Sequence, residues 1–305
     1  MLKMKWRKMS PNYLRHELPG KAVVTFFGVF LVVLTLCLVF YITSKGLATF
    51  FENKVSPIEF LFSNVWMPDR DPSKGGPAVG ALIFIAGSLM VSSLALVIST
   101  PFSIAVAIFM TEISQRLGKK LLQPAIEILV GIPSVVYGWI GLSLLVPFIK
   151  NNLGGLGFSL LAGSFVLAVM IFPTITSISC DALRAVSNDY REASVAMGAT
   201  RWQTIYRVVV PAAVPGVLSG IVLGLARAFG EALAVQMVIG NTIRLPGSIL
   251  DPTINLTSII TMDMGNTAMG TTWNNALWSM AMLLLMISFI FIFIIRKIGA
   301  KGSSY

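Results

Sequence analysis

The sequence predicts an all-α protein, a polytopic membrane bundle of about six transmembrane helices. Three observations carry that expectation. Of 305 residues, 55% are hydrophobic and only 12% charged, with a mean hydropathy of +0.82, against roughly 25% charged in an ordinary soluble domain. Six uncharged runs each approach or exceed the roughly 20 residues that a helix needs to cross the hydrocarbon core. Backbone groups cannot stay unpaired in lipid, and the alternating pattern of a barrel strand is absent, so runs of this length must be helices.

The runs follow one another along the chain. Residues 1–21 are a basic tail, and 22–43 form the first span, which is 22 residues long and lacks a small-residue cleavage site, so it is a retained anchor rather than a signal peptide. His16 stands alone and is expected to be solvated rather than a ligand. Residues 44–78 contain "MPDRDPSKGGP", a loop composition in a segment too short for a core of its own. The run Val79 to Thr111 holds 33 uncharged residues. It fits one tilted span with an interfacial piece, or two short spans broken at Pro101. Ile128 to Ile149, Asn151 to Cys180, Val208 to Ala226 and Asn274 to Ile295 complete the set, and residues 296–305 are a second basic tail.

Charge chooses between the two readings of Val79 to Thr111. With one span there, sixteen basic residues fall on one side: Lys3, Lys5, Arg7, Lys8, Arg15, Lys21, Arg116, Lys119, Lys120, Arg184, Arg191, Arg201, Arg207, Arg296, Lys297 and Lys301. Six fall on the other (Lys45, Lys54, Arg70, Lys74, Lys150, Arg244), set against six acids there (Glu52, Glu59, Asp69, Asp71, Asp251, Asp263). The positive-inside rule then places both termini in the cytoplasm, and an extra span would destroy the bias. The net charge of +10 is thus a matter of topology, with no nucleic-acid motif beside it. Cys37 inside a span and Cys180 at a cytoplasmic helix end are not placed to form a disulfide, and no metal-ligand spacing occurs.

"GIPSVVYGW", Gly131 to Trp139, places Pro133 and two glycines in a span, so a freed carbonyl needs Ser134, water or another helix as partner. "FPTITSIS", Phe172 to Ser179, adds Pro173 and hydroxyls expected to bond their own backbone. After Pro211, Gly216, Gly220 and Gly224 recur every fourth residue and continue into Ala228 and Ala232, a face that lets another helix approach closely. Arg227 and Glu231 border that face near the middle of a helix expected over Ala212 to Val238, four apart and able to pair. An ionisable residue at such depth costs roughly 3 kcal/mol on insertion scales and faces protein or a wet cavity. The pair either holds the bundle or lines a polar path, with Ser134 counted on that path, and an arginine there favours an oxyanion. Gly240 to Thr272 is either a cover between spans or a docking surface for an external partner.

Between two apolar runs lies "DYREASVAMGATRWQTIYRVVVP", Asp189 to Pro211. Asn188 is expected to cap a helix that Gly198 closes in the left-handed conformation, and Thr200 with Gln203 has capping-box spacing for a second helix ending before Pro211. Val195, Met197, Trp202 and Ile205 give this element apolar surface that its length cannot bury, which calls for a partner.

Here the residues resemble a family. Glu192-Ala193-Ser194, three residues, Gly198, nine residues, then Val208-x-Val210-Pro211 is similar to the EAA loop of ABC-transporter permeases, E-A-A-x3-G-x9-I-x-L-P, with Ser194, Val208 and Val210 as departures. "AIEILVGIPSVVYGWIGL", "FPTITSISCDALRAV" and "ARAFGEALAVQMVIGN" extend the resemblance over most of the chain after the first span, most closely to PstC-type permeases of phosphate ABC importers. The resemblance implies the type I ABC importer permease fold over residues 79–295. Its coupling loop would be 181–211, with Glu192, Ala193, Val195, Met197, Gly198 and Trp202 docking on an ATPase. It further implies a PstA-type partner permease, a PstB-type ATPase dimer that uses ATP and Mg, an external PstS-type phosphate-binding protein, and a bacterial cytoplasmic membrane. No cofactor and no enzymatic site are expected in this chain: Gly20-Lys21 and Gly118-Lys119 lack the upstream glycine and the Ser/Thr of a phosphate-binding loop. The alternatives are a permease for another oxyanion (molybdate, sulfate or phosphonate) and a secondary transporter or channel.

The charge count yields a test of topology. A reporter fused after Lys120 should behave as cytoplasmic and one near Lys150 as external; an external Lys120 fusion would overturn the single span over Val79 to Thr111.

Overall fold

The computed structural model describes residues 11–71, 73 and 75–302. The first ten residues of the basic tail and the side chain of His16 lie outside the described residues. Six helices among them are long and apolar enough to cross a membrane: Gly20–Phe51, Leu82–Ile113, Ser134–Asn152, Leu160–Arg184, Arg201–Gly230 and Thr272–Ile298.

Helix α1 (Pro11–Phe51) begins within the expected tail, passes through Pro19 and Gly20, and runs on beyond the expected span. It touches the bundle only near its end. Gly46 lets Trp278 and Met282 approach, Tyr41 and Trp278 meet edge to face at 5.4 Å, and Ser279 Oγ donates to Gly46 O at 2.5 Å. The loop that follows holds α2 (Pro57–Phe62) and a two-residue antiparallel ladder of β1 (Trp66–Met67) and β2 (Ala78–Val79). The loop does not stand alone. Phe60 is fully buried with Phe84, Ile254, Leu256, Leu277 and Met280, so the two segments that link spans here share a core with the helix ends beside them.

Helix α3 (Leu82–Ile108) passes through Pro101 without a break and continues as a π turn over Phe109–Ile113. The structure therefore contains one span where two were conceivable. A proline in a membrane helix is tolerated when neighbouring groups take up the freed backbone. After α4 (Gln115–Leu117) and a second π turn (Gly118–Leu122) comes α5 (Gln123–Gly131), which stops at an extended Ile132 (ψ 127°). The third span restarts at Ser134 rather than at Ile128, as α6 (Ser134–Ile140), a π turn (Gly141–Leu145) and α7 (Val146–Asn152).

Helix α8 (Leu160–Arg184) is the central post. Its N-terminus is capped by Ser159, whose Oγ accepts from Ala162 N at 3.1 Å. It packs against α3, which presents buried Ser88, Ser92, Ala95, Ser99, Ser103 and Ala107, a small-residue face. It also packs against α11 (Val210–Gly230), whose glycines meet α8 as the sequence predicts: a Cβ on Gly216 would sit 2.5 Å from Ala182 Cβ, and one on Gly224 2.7 Å from Ile175 Cγ1.

Before α11 the chain forms α9 (Asn188–Ala196) and α10 (Arg201–Thr204), and after it α12 (Leu233–Ile239) and α13 (Leu256–Asp263). The segment Pro252 to Ile259 is buried throughout, with Leu256 N donating to Ser88 Oγ at 2.9 Å, so this part of the Gly240 to Thr272 stretch is core rather than surface. Asp263, half-buried outside the spans, accepts from Trp273 Nε1 at 3.3 Å, and burial pushes its carboxyl above the usual carboxylate range. Helix α14 (Thr272–Gly302) closes the bundle against α1 and α11, with Phe291 edge-on to Phe229 at 5.1 Å.

Because Ala182 is short and cannot swing away, Gly216→Val should cost about 1–3 kcal/mol by overpacking. Gly28→Val on α1, where no atom lies within 4 Å, should cost almost nothing. Thermal unfolding of the two purified variants checks the difference, and equal midpoints would refute the close contact.

Candidate functional site

Two places in the bundle combine polar chemistry with unusual backbone. The first is the loop after α8. Ser187, not Asn188, is the N-cap: its backbone is extended (ψ 141°) and its Oγ accepts from Asp189 N at 3.2 Å, whereas Asn188 is already helical and its Oδ1 accepts from Arg191 Nη1 at 3.4 Å. Two adjacent cap-forming residues differ here only in which adopts helical dihedrals. Gly198 has φ +84°, with open space around its Cα, so the need for glycine is conformational rather than steric.

The capping box forms as expected, with Thr200 N donating to Gln203 Oε1 at 2.8 Å and Gln203 N to Thr200 Oγ1 at 3.3 Å. The second helix does not end before Pro211. It runs through a π turn (Ile205–Val209), in which Val210 N reaches back to Ile205 O, and merges with α11. Pro211 then falls in the first turn of α11, where a missing N–H is tolerated, and the wide turn before it leaves room for the ring.

Val195, Met197 and Trp202 are 59%, 90% and 62% exposed, and Tyr190 and Tyr206 join them. Glu192 and Ala193 also face outward. Ile205 is the exception among the residues expected to be uncovered: it is buried, because the continuous helix turns it inward. Ser194 bridges to Thr204, Oγ to Oγ1 at 3.0 Å, and so ties α9 to α10 at a position where the family pattern has alanine.

The second place lies roughly midway along α8. Arg227 is on α11, exposed, with Nη1 donating to Thr174 Oγ1 at 2.8 Å. Among the described residues this is its one hydrogen-bond partner, so the remaining donors of the guanidinium are uncommitted. Glu231 does not pair with it. The helix ends at Gly230, and Glu231 is extended (ψ 125°), so the helical i, i+4 geometry is lost. Instead Glu231 Oε1 accepts from Ala234 N at 3.1 Å and caps α12, while Thr257 Oγ1 donates to the Glu231 carbonyl at 2.7 Å. Ala232 likewise leaves the small-residue face, which ends at Ala228.

The interruption at Ile132–Pro133 mirrors that at Glu231–Ala232: a helix ending in glycine, an extended residue, and a restart. Ser134 is half-buried in the first turn of α6, and no hydrogen bond joins it to Arg227 or Glu231 among the described residues. Tyr137, not Ser134, satisfies the opened backbone, donating from its hydroxyl to Leu129 O at 2.7 Å. The restarted helices α6 and α12 touch: a Cβ on Gly138 would lie 2.9 Å from Ala234 Cα. Along "FPTITSIS", Thr176 bonds its own backbone at Phe172 O (2.8 Å) as expected, while Thr174 turns outward to Arg227.

Comparison with known proteins gives the family and the fold. The family described as binding-protein-dependent transport system inner membrane component matches residues 99–301. The chain belongs to this family. A probable ABC transporter permease protein, YqgH of Bacillus subtilis (strain 168), is 53% identical over 93% of this permease and 91% of its own length. The phosphate transport system permease protein PstC of Pasteurella multocida is 32% identical over 93% of each chain. That of Mesorhizobium japonicum is 34% identical over 78% of this chain and 76% of its own.

Among solved structures, a bacterial alginate ABC transporter in complex with alginate pentasaccharide-bound periplasmic protein superposes at a TM-score of 0.61, with 15% identity over 98% and 99% of the two chains. The MetNI methionine ABC transporter in inward-facing conformations gives 0.51 and 23% identity over 72% and 94%. At those identities the likeness is one of fold, and the permease has the type I ABC importer fold. As such a permease it is a multi-pass membrane protein that works with an ATPase on a separate subunit and with a binding protein, which removes the secondary transporter and the channel as alternatives.

Gly198 generates a test. A β-branched residue at φ +84° is strained by about 1–2 kcal/mol. If the loop docks the ATPase, as its resemblance to the EAA loop implies, Gly198→Val should therefore weaken co-purification of the ATPase subunit without reducing membrane insertion, and Gly198→Asn should do so less. Unchanged association in the valine variant would remove the left-handed turn from the dock.

Proposed function

We propose that this permease is one membrane half of an ATP-driven importer of inorganic phosphate. Its companions are a homologous PstA-type permease, a PstB-type ATPase dimer on the coupling loop and an external PstS-type phosphate-binding protein. ATP and Mg belong to the ATPase. Both termini and the coupling loop face the cytoplasm, a reading that rests on the basic residues gathered at that end.

The observation that carries the substrate is Arg227. A guanidinium at mid-bundle is costly unless it serves an anion or has an ionic partner. Glu231, its sequence neighbour in charge, is occupied as the cap of α12. Phosphate oxygens match the planar donor fork of arginine, and the exposed setting of Arg227 allows an anion to arrive and leave. Relatives that carry the name PstC support the choice of phosphate over other oxyanions. Gln236 and Thr261, joined at 2.8 Å between α12 and α13, extend a polar track on the α12 side of the interruption. ATP binding moves the coupling loop and opens this path outward; hydrolysis resets it.

Uptake of labelled phosphate by cells or proteoliposomes tests the reading. Arg227→Gln should lower uptake at least about a hundredfold, a coupling of roughly 3 kcal/mol for a charge-assisted contact, at unchanged membrane abundance. Glu231→Gln retains an acceptor for the α12 cap and should leave most uptake intact. Normal uptake by Arg227→Gln would discard the path, and uptake of labelled molybdate or sulfate without uptake of labelled phosphate would discard the substrate.

A further inference from the structure

The strongest cross-element ion pair among the described residues lies away from the proposed path, at the base of the coupling loop. Arg191 Nη2 meets Glu112 Oε1 at 2.8 Å, with both side chains largely shielded (22% and 11% exposed). The same guanidinium donates to Leu183 O at 2.9 Å and to Val186 O at 2.5 Å, at the C-terminal end of α8. From the other loop helix, Arg201 Nη2 donates to the backbone carbonyls of Glu112 and, at 3.1 Å, Ile113. Those are terminal carbonyls of the α3 span, where a cation is favoured by both hydrogen bonding and the helix dipole.

One arginine from α9 and one from α10 thus grip a single acidic residue in the π turn that ends α3. We propose that Glu112, Arg191 and Arg201 form a strut that makes the coupling loop and the end of α3 one rigid body, so that ATPase-driven displacement of the loop is delivered into α3. The proposal rests on the reading of this loop as the ATPase dock.

Three features distinguish a strut from an incidental surface pair. The charges are shielded, so removing either one leaves the other uncompensated, which is far more damaging than losing an exposed pair. The contacts are multiple and directional, from a planar fork that a lysine cannot reproduce. Finally, α3 itself connects onward: its buried Ser103 Oγ donates to Phe172 O at 3.3 Å, two residues before the Thr174 that holds Arg227. Arg191 and Glu112 act here as positioning residues, since neither touches the transported anion.

The test uses the full complex of this chain with its partner subunits, reconstituted in proteoliposomes, and reads labelled phosphate moved per ATP hydrolysed. E112Q, R191Q and the double variant should each retain the co-purifying ATPase and its hydrolysis, while phosphate moved per ATP falls at least about fivefold, the lower bound of ordinary inter-site coupling. The double variant should be no worse than either single one, as expected for two ends of one contact. An unchanged ratio in E112Q, or losses that multiply in the double variant, would overturn the strut.

A second measurement needs no transport. Nitroxide labels at A196C on α9 and L117C, both exposed positions, in a background with Cys37 and Cys180 replaced, should keep the same mutual distance with and without ATP, and the distribution should broaden when E112Q is added. A nucleotide-dependent shift in the otherwise unaltered complex would overturn the proposal. If that complex moves no phosphate while the label distance stays fixed, the substrate reading fails and the strut stands.

Discussion

The contact between α8 and α11 sets the position of nearly everything else. In lipid, no hydrophobic effect drives two apolar helices together, so they associate only where their surfaces allow dense van der Waals contact. Gly216, Gly220 and Gly224 provide that surface on α11, and Ala182, Ile178 and Ile175 fill it from α8. The closeness has a chemical result. It brings Thr174 within 2.8 Å of Arg227, so the guanidinium is held at a fixed height and azimuth by a neutral hydroxyl rather than neutralised by a carboxylate. α8 also meets the serine and alanine face of α3, which shares core clusters with both α8 and α11, so the central post has small residues at both major contacts.

The two helix interruptions obey the rule that irregular backbone at membrane depth must be satisfied internally. Each does so with side chains from the adjoining turn or the next element. Tyr137 closes the gap at Leu129 O, and Glu231 and Thr257 close the one between α11 and α12. Since α6 and α12 pack through Gly138 and Ala234, the two restarts buttress each other. The polar residues of the proposed path lie beside the second interruption, where the helix that carries Arg227 ends.

Much of this was legible in the sequence because it depends on local chemistry. Span number follows from length and polarity, and Gly198 and the Thr200–Gln203 box follow from backbone and capping preferences that tertiary packing did not override. The misses share a cause. The Arg227–Glu231 pair was inferred from helical spacing, which holds only while the helix continues, and hydropathy does not register a break after Gly230. A short helix ending before Pro211 would leave Ile205 uncovered, whereas a wide turn carries the helix through and buries it. Glu112 and Arg191 are 79 residues apart, and no local pattern joins them. The small-residue face of α3 was visible in principle, in Ser92, Ser99, Ser103 and Ala107, but serine in a membrane helix signals polarity before it signals size.

Among the described residues four π turns interrupt the α-helical register: Phe109–Ile113, Gly118–Leu122, Gly141–Leu145 and Ile205–Val209. A π turn holds one residue more than the α turn it replaces, so everything beyond it is rotated by about 100° relative to an uninterrupted helix. Each is therefore a phase shifter. The stripe that faces protein before the turn and the stripe that faces protein after it are written in different frames, and a single-residue deletion inside the turn changes which frame the downstream half uses. At Ile205–Val209 the two halves are α10 and the span α11. The extra residue there fixes the angular relation between the proposed ATPase-docking surface and the face that carries Arg227, which makes chain length at that turn, as much as residue type, a determinant of how the two are aligned.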